Sequence, residues 1–205
     1  FVQDHKLPLI VDEVYQGLVF DPVEGEEFTS FGCISHDTPI MICNSTAKLY
    51  AVSGWKIGWL IIQDETGYLD KVKASLQNLC VIGMHPSSIM QQALVKTLSE
   101  VPESYFEEQR KKLKETAALA FEGLQGIRGL APVKARAALF MIFRIEPEQF
   151  KDVADDEEFT KKLFAEQNVL VVPTSTYSLK NHIRMIVCVQ REKMEEFIQR
   201  VKEFC

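Results

Sequence analysis

No apolar stretch of this 205-residue chain approaches the roughly 20 residues that cross a bilayer as a helix, and Asp4, His5 and Lys6 stand where a secretory signal would carry its apolar run. A soluble segment without membrane contact is expected. Positive charge is also scarce: 23 Lys and Arg against 29 Asp and Glu leave a formal net charge of -6, and no basic cluster is interleaved with aromatics. That argues against a nucleic-acid partner and leaves small neutral or anionic ligands open. The five cysteines are odd in number, without CxxC spacing, so no disulfide framework is expected and a reducing compartment fits, the cytosol first and the mitochondrion second. The four histidines lie far apart with no metal-ligand spacing, which speaks against a metal site. There is no repeat, low-complexity tract or Pro/Gly-rich linker, and no initial Met: Phe1 to Lys6 reads like the end of a helix before a strand, so the natural chain is expected to start earlier.

What is present is an ordinary globular composition, 46% hydrophobic and 25% charged, sufficient for one large core or two modest ones. Leu7 to Val11 and Ile40 to Cys43 are short apolar runs of the kind buried on both faces of a parallel sheet, and Gly58 to Ile62 is a third strand candidate. Helical spacing predicts helices over 68–79, over 86–98 with Pro86 in its first turn, and over 102–124, the last ended by Gly123 and Gly126. Beyond these, strands are predicted over 137–145, 169–172 and 183–189, and helices over 155–167 and 192–204. The expected fold class is α/β. Residues 1–100 would form part of a mostly parallel-sheet domain and residues 101–205 a small α+β domain.

Open α/β sheets bind ligands outside the carboxyl ends of their strands. Asp12 ends the first run and Tyr15 follows it; Ser45 and Lys48 follow the second. Ser53-Gly54-Trp55 is a tight turn leading to Lys56, a point cation suited to a phosphate. Arg184 sits in the run His182 to Val187, alternating with Ile183 and Met185, and a charge there needs a partner. Each of these has an ordinary explanation as well: a strand cap, a packed aromatic, a surface lysine, an arginine paired with a surface carboxylate.

Taken together and in order, Val11-Asp12-Glu13-Val14-Tyr15, Ser45-Thr46-Ala47-Lys48, Ser53-Gly54-Trp55-Lys56-Ile57-Gly58-Trp59 and Asn181-His182-Ile183-Arg184 resemble the signature of fold type I aminotransferases. The resemblance runs through essentially the whole chain and is strongest to the branch acting on aromatic amino acids. It implies a pyridoxal 5'-phosphate cofactor, amino acid and 2-oxo acid substrates, and a homodimer. It assigns Lys48 as the imine-forming lysine and proton shuttle, Asp12 to the pyridine nitrogen, Tyr15 to the phenolate oxygen, Ser45 and Lys56 to the phosphate, and Arg184 to the substrate carboxylate. The chain would then be the later strands of the cofactor-binding large domain, the lysine loop and the small domain. The family's earlier half, with its phosphate cup, its ring-stacking aromatic and an Asn, has no counterpart here.

Three positions depart from the family pattern: Lys56 stands where Arg is usual, Ser53 for a Pro, and Ala137 for a Gly. Alternatives to aromatic transamination are alanine, kynurenine or carbon-sulfur lyase chemistry on the same fold, and a truncated, catalytically silent domain.

Overall fold

The computed structural model describes residues 1–24, 28–34, 37–83 and 85–205, in two units. The first contains residues 1–17 and 24–106, the second residues 18–23 and 107–205.

In the first unit, β1 (Leu9–Asp12) pairs in parallel with β2 (Ile40–Ser45), Leu9 opposite Ile40 and Asp12 opposite Cys43. β3 (Gly58–Gln63) joins the other side of β2 antiparallel, with Ser45 opposite Gly58. β2 is the central strand, and Ile40, Met41 and Ile42 are buried. The edge strands are not: Ile10 is 66% exposed, and Trp59, Leu60 and Ile61 are exposed too. The expectation of a β1 buried on both faces is therefore corrected, since an apolar run cannot report whether anything covers its second face. Gly58 is required by close approach, because a Cβ there would stand 3.1 Å from the Asn44 carbonyl oxygen.

Helices α1 (Asp70–Ile82) and α2 (Ser88–Glu100) begin two residues later than spacing predicted and end three and two residues later. Pro86 precedes the α2 cap residue Ser87 and is outside the first turn. Neither helix buries a residue, and Ile82, Ile89 and Val95 are largely exposed.

The second unit has a complete core of its own. β4 (Leu130–Val133), β5 (Phe140–Ile145), β6 (Val172–Pro173) and β7 (His182–Ile186) form an antiparallel sheet in the order β4-β5-β7-β6. α3 (Glu103–Leu124), which begins in the first unit, buries Leu113, Thr116, Ala117, Ala120 and Leu124, one helical stripe. α4 (Asp156–Gln167) is capped by Asp155, whose carboxylate accepts the Glu158 N–H at 2.9 Å, and α5 (Arg191–Phe204) buries Met194, Ile198 and Val201 at spacings of four and three. Gly123 does not end α3. It lies inside the helix, where a Cβ would come within 2.6 Å of Ile198 Cδ1.

Three strands of this unit are shorter than their apolar runs, β7 among them, since it ends at Ile186 where a strand reaching residue 189 was expected. The stretch expected to begin a strand at Ala137 reaches the ladder only at Phe140, because Ala138 is left-handed at φ 64°. That conformation falls at Ala138, one residue past the Ala137 that replaces a usual Gly. The 169–172 strand is replaced by two paired residues, Val172 and Pro173. Val169 and Val171 are buried and Leu170 is 78% exposed, an alternation that imitates a strand without a partner to ladder with.

Residues 18–23 belong to the second unit through a bridge from Val19 to Ala137 and through Asp21, whose carboxylate lies 2.8 Å from Lys134 Nζ and 3.0 Å from Lys114 Nζ. Hydrogen bonds from Lys134 and Lys114 hold the Asp21 carboxyl down to about 2. A depressed folded-state pKa stabilises above the unfolded value, near 3.8 here, and that contribution disappears as pH falls towards about 2. Asp21→Asn should flatten the acid limb of a melting-temperature profile between pH 5 and 2; a limb as steep as the parent's would refute the role of this triad.

Candidate active site

Because β1 and β2 are parallel, Asp12 and Ser45 finish at the same end of the sheet, and Lys48 lies three residues past Ser45. Residues 46–51 form a turn in which the Tyr50 N–H donates to the Thr46 carbonyl at 3.3 Å and the Ala51 N–H to the Lys48 carbonyl at 3.2 Å. Thr46 is fully buried, its N–H bonded to the Ile57 carbonyl, so the turn is tied to the approach of β3. The half-buried Lys48 side chain places its Nζ 5.8 Å from the centre of the Tyr15 ring, within cation–π range. Among the described residues Lys48 makes no ion pair.

Asp12 is exposed and accepts the Val14 N–H at 3.3 Å, an Asx-type contact that leaves most of its acceptor capacity open. Ser45 Oγ accepts the Ala47 N–H at 3.3 Å, so its hydroxyl proton remains available to an acceptor. Asn44 joins the two strand ends, donating from Nδ2 to Gln16 Oε1 at 3.0 Å. Lys56 follows the short 3-10 turn Ser53–Trp55 and is itself left-handed at φ 55°, exposed to solvent.

The structure thus brings together Asp12, Tyr15, Ser45 and Lys48 at one end of one sheet, with Lys56 across the turn that enters β3. Arg184 belongs to the second unit. It is half-buried between the core residues Ile183 and Met185, as the alternation predicted, but its expected partner is different. No carboxylate pairs with it among the described residues; its guanidinium lies over the Phe140 ring at 4.6 Å and over the Tyr177 ring at 4.9 Å.

Sequence reasoning missed Glu13. Next to Asp12 but on the opposite face, it is 6% exposed and accepts both the Ser30 hydroxyl and the Phe31 N–H at 2.8 Å. A carboxylate following an apolar run, on the same phase of the alternation as the less exposed Leu9 and Val11, was the available signal. It anchors residues 30–31 beside the end of β1.

Against known proteins, the model of the family "Aminotransferase class I and II" matches residues 1–201. The tyrosine aminotransferase of Caenorhabditis elegans is 33% identical over 205 residues, covering 100% of this chain and 43% of its own length. The mouse tyrosine aminotransferase is 32% identical over 200 residues, covering 97% of this chain and 43% of its own. The crystal structure of a tyrosine aminotransferase from Leishmania infantum superposes with a TM-score of 0.92 at 28% identity over 100% of this chain and 49% of that one. The chain belongs to the class I and II aminotransferase family, with a fold type I α/β architecture. It spans about half the length of the relatives it matches.

Proposed function

We propose that this chain carries the lysine-bearing and carboxylate-binding parts of a pyridoxal 5'-phosphate-dependent aminotransferase that takes tyrosine or a related aromatic amino acid and passes its amino group to a 2-oxo acid such as 2-oxoglutarate. The observation that carries this reading is the placement of the Lys48 amine against Tyr15 at the sheet end that also holds Asp12 and Ser45. This donor set fits the cofactor: an open carboxylate, a phenol, a free hydroxyl proton and two amines, each suited to one polar group of it.

When bound, pyridoxal phosphate supplies an electron sink for the amino acid's α-carbon. Asp12 would hold a proton on the pyridine nitrogen, Tyr15 would bond the ring oxygen, and Ser45 and Lys56 would hold the phosphate. A lysine at the phosphate is a point charge without the bidentate fork of an arginine, so orientation there falls mainly to Ser45. Lys48, once its amine is free, would take the proton from the substrate α-carbon as a positioned general base. Arg184 would receive the substrate carboxylate through a planar pair of N–H donors. The acting form is read as a homodimer of the cytosol, where five free thiols persist unoxidised.

The test is reduction with borohydride after incubation with pyridoxal phosphate, followed by peptide mapping. A pyridoxyl group concentrated on Lys48 is expected; labelling scattered over surface lysines would sink the cofactor assignment. Substrate choice is checked by comparing tyrosine, phenylalanine, alanine and kynurenine as donors to 2-oxoglutarate in the active enzyme, where faster turnover of alanine than of tyrosine would overturn the aromatic preference.

A further inference from the structure

Asp156, the first residue of α4, is 1% exposed. A carboxylate so far from water must be hydrogen-bonded, and its partners come from a distant segment: Oδ2 accepts the Ser175 N–H at 2.8 Å and Oδ1 the Asn181 N–H at 3.2 Å. Burial pushes the Asp156 carboxyl up, but the Ser175 and Asn181 N–H groups outweigh it and hold the group below the usual carboxylate range. Thr174, also buried, closes the same stretch, its hydroxyl lying 2.6 Å from the Leu179 carbonyl oxygen and 2.9 Å from that of His182.

Between these anchors stands Tyr177, and three residues beyond Asn181 stands Arg184. Tyr177 is 58% exposed, so packing alone does not fix its ring. The backbone around it is costly as well, with Ser178 at φ 64° and Asn181 at φ 58°, left-handed conformations that a loop keeps only when something holds it there. The two oxygens of Asp156 grip the chain on either side of Tyr177, and the Tyr177 ring meets the Arg184 guanidinium.

We propose that Asp156 is a positioning residue for Arg184: by anchoring both ends of the 174–182 loop it keeps Tyr177 against the guanidinium, so that the planar fork is held in one orientation before a carboxylate arrives. A cation held in advance loses less freedom on binding. That Arg184 binds a carboxylate rests on the function proposed above; that Asp156 orders Tyr177 and Arg184 does not.

The experiment is 15N NMR of the Arg184 Nε–H group in this chain, with Tyr177→Leu defining the ring-current shift that the phenol imposes. Asp156→Asn turns an amide NH2 towards one of the two backbone N–H donors and removes the charge. It is expected to move the Arg184 signal by at least half the Tyr177→Leu shift, and to weaken binding of 3-phenylpropionate, a simple carboxylate probe, about 3- to 10-fold. An Arg184 signal unchanged in Asp156→Asn overturns the inference. A signal that moves in the variant, with no response of the parent chain to the probe, upholds the positioning role and removes the carboxylate role of Arg184. Should the variant not fold, amide exchange in the parent decides: strong protection of the Ser175 and Asn181 N–H groups is required, and exchange at the unprotected rate overturns the clamp.

Discussion

Lys48→Ala is expected to lower transamination by the active enzyme by about 10²- to 10⁴-fold, the range lost with a positioned general acid–base group, while the fold stays intact. The two effects separate because the 46–51 turn is held by backbone bonds, from Tyr50 to Thr46 and from Ala51 to Lys48, which alanine keeps. What alanine removes locally is the contact with the Tyr15 ring, worth about 0.5–1 kcal/mol at a partly exposed site. Lys48→Arg sharpens the test, since it keeps a cation near Tyr15 but cannot be deprotonated to accept a proton. Both variants should be similarly inactive with nearly parental melting temperatures. Retention of more than a tenth of the parental turnover by Lys48→Ala would remove this residue from the chemistry.

The largest expected loss of stability is at Phe159. Its side chain is fully buried in the second unit, with edge-on contacts to Phe150 and Phe204 at 5.2 Å each and to Phe143 at 6.4 Å. Phe159→Ala would leave a cavity bounded by three other rings, and burial of a phenylalanine in such a setting is worth about 3–5 kcal/mol. Since the cluster joins β5, α4 and α5, no single element can shift to fill the gap. Denaturant unfolding followed by a probe in the second unit should register a loss of this size; a change below about 1 kcal/mol would mean that the site collapses freely and that the ring cluster is not the keystone of this core.

Helices were the most legible part of the fold. α3, α4 and α5 begin and end within about one residue of their apolar periodicity, because each presents one stripe to a core contained in this chain. α1 and α2 have comparable periodicity and bury nothing, so the same signal located the helices without saying what they pack against. Strand ends were less legible where backbone conformation intervenes. The left-handed Ala138 delays β5, and residues 169–171 find no ladder partner, so β6 begins only at Val172; neither constraint is written in hydrophobicity.

Among the site residues, Asp12, Ser45 and Lys48 could be placed at strand ends because apolar runs stopping at polar residues mark where a parallel sheet opens. The aromatic company of Arg184 could not be foreseen, as Phe140 and Tyr177 are brought to it by the pairing of β5 with β7 and by the loop before β7. Asp156 looked like one acid among several at a helix start.

The sequence by itself determined the element types, the order of the strand-end polar groups and the family resemblance, since these depend on local periodicity and on residue spacing along the chain. Tertiary structure alone decided that Lys48 meets Tyr15, that Glu13 turns inward to hold residues 30–31, and that a buried carboxylate on α4 grips the loop beside Arg184. Those are contacts between residues far apart in the chain, and they exist only once backbone hydrogen bonding and burial have chosen which side chains lose their water.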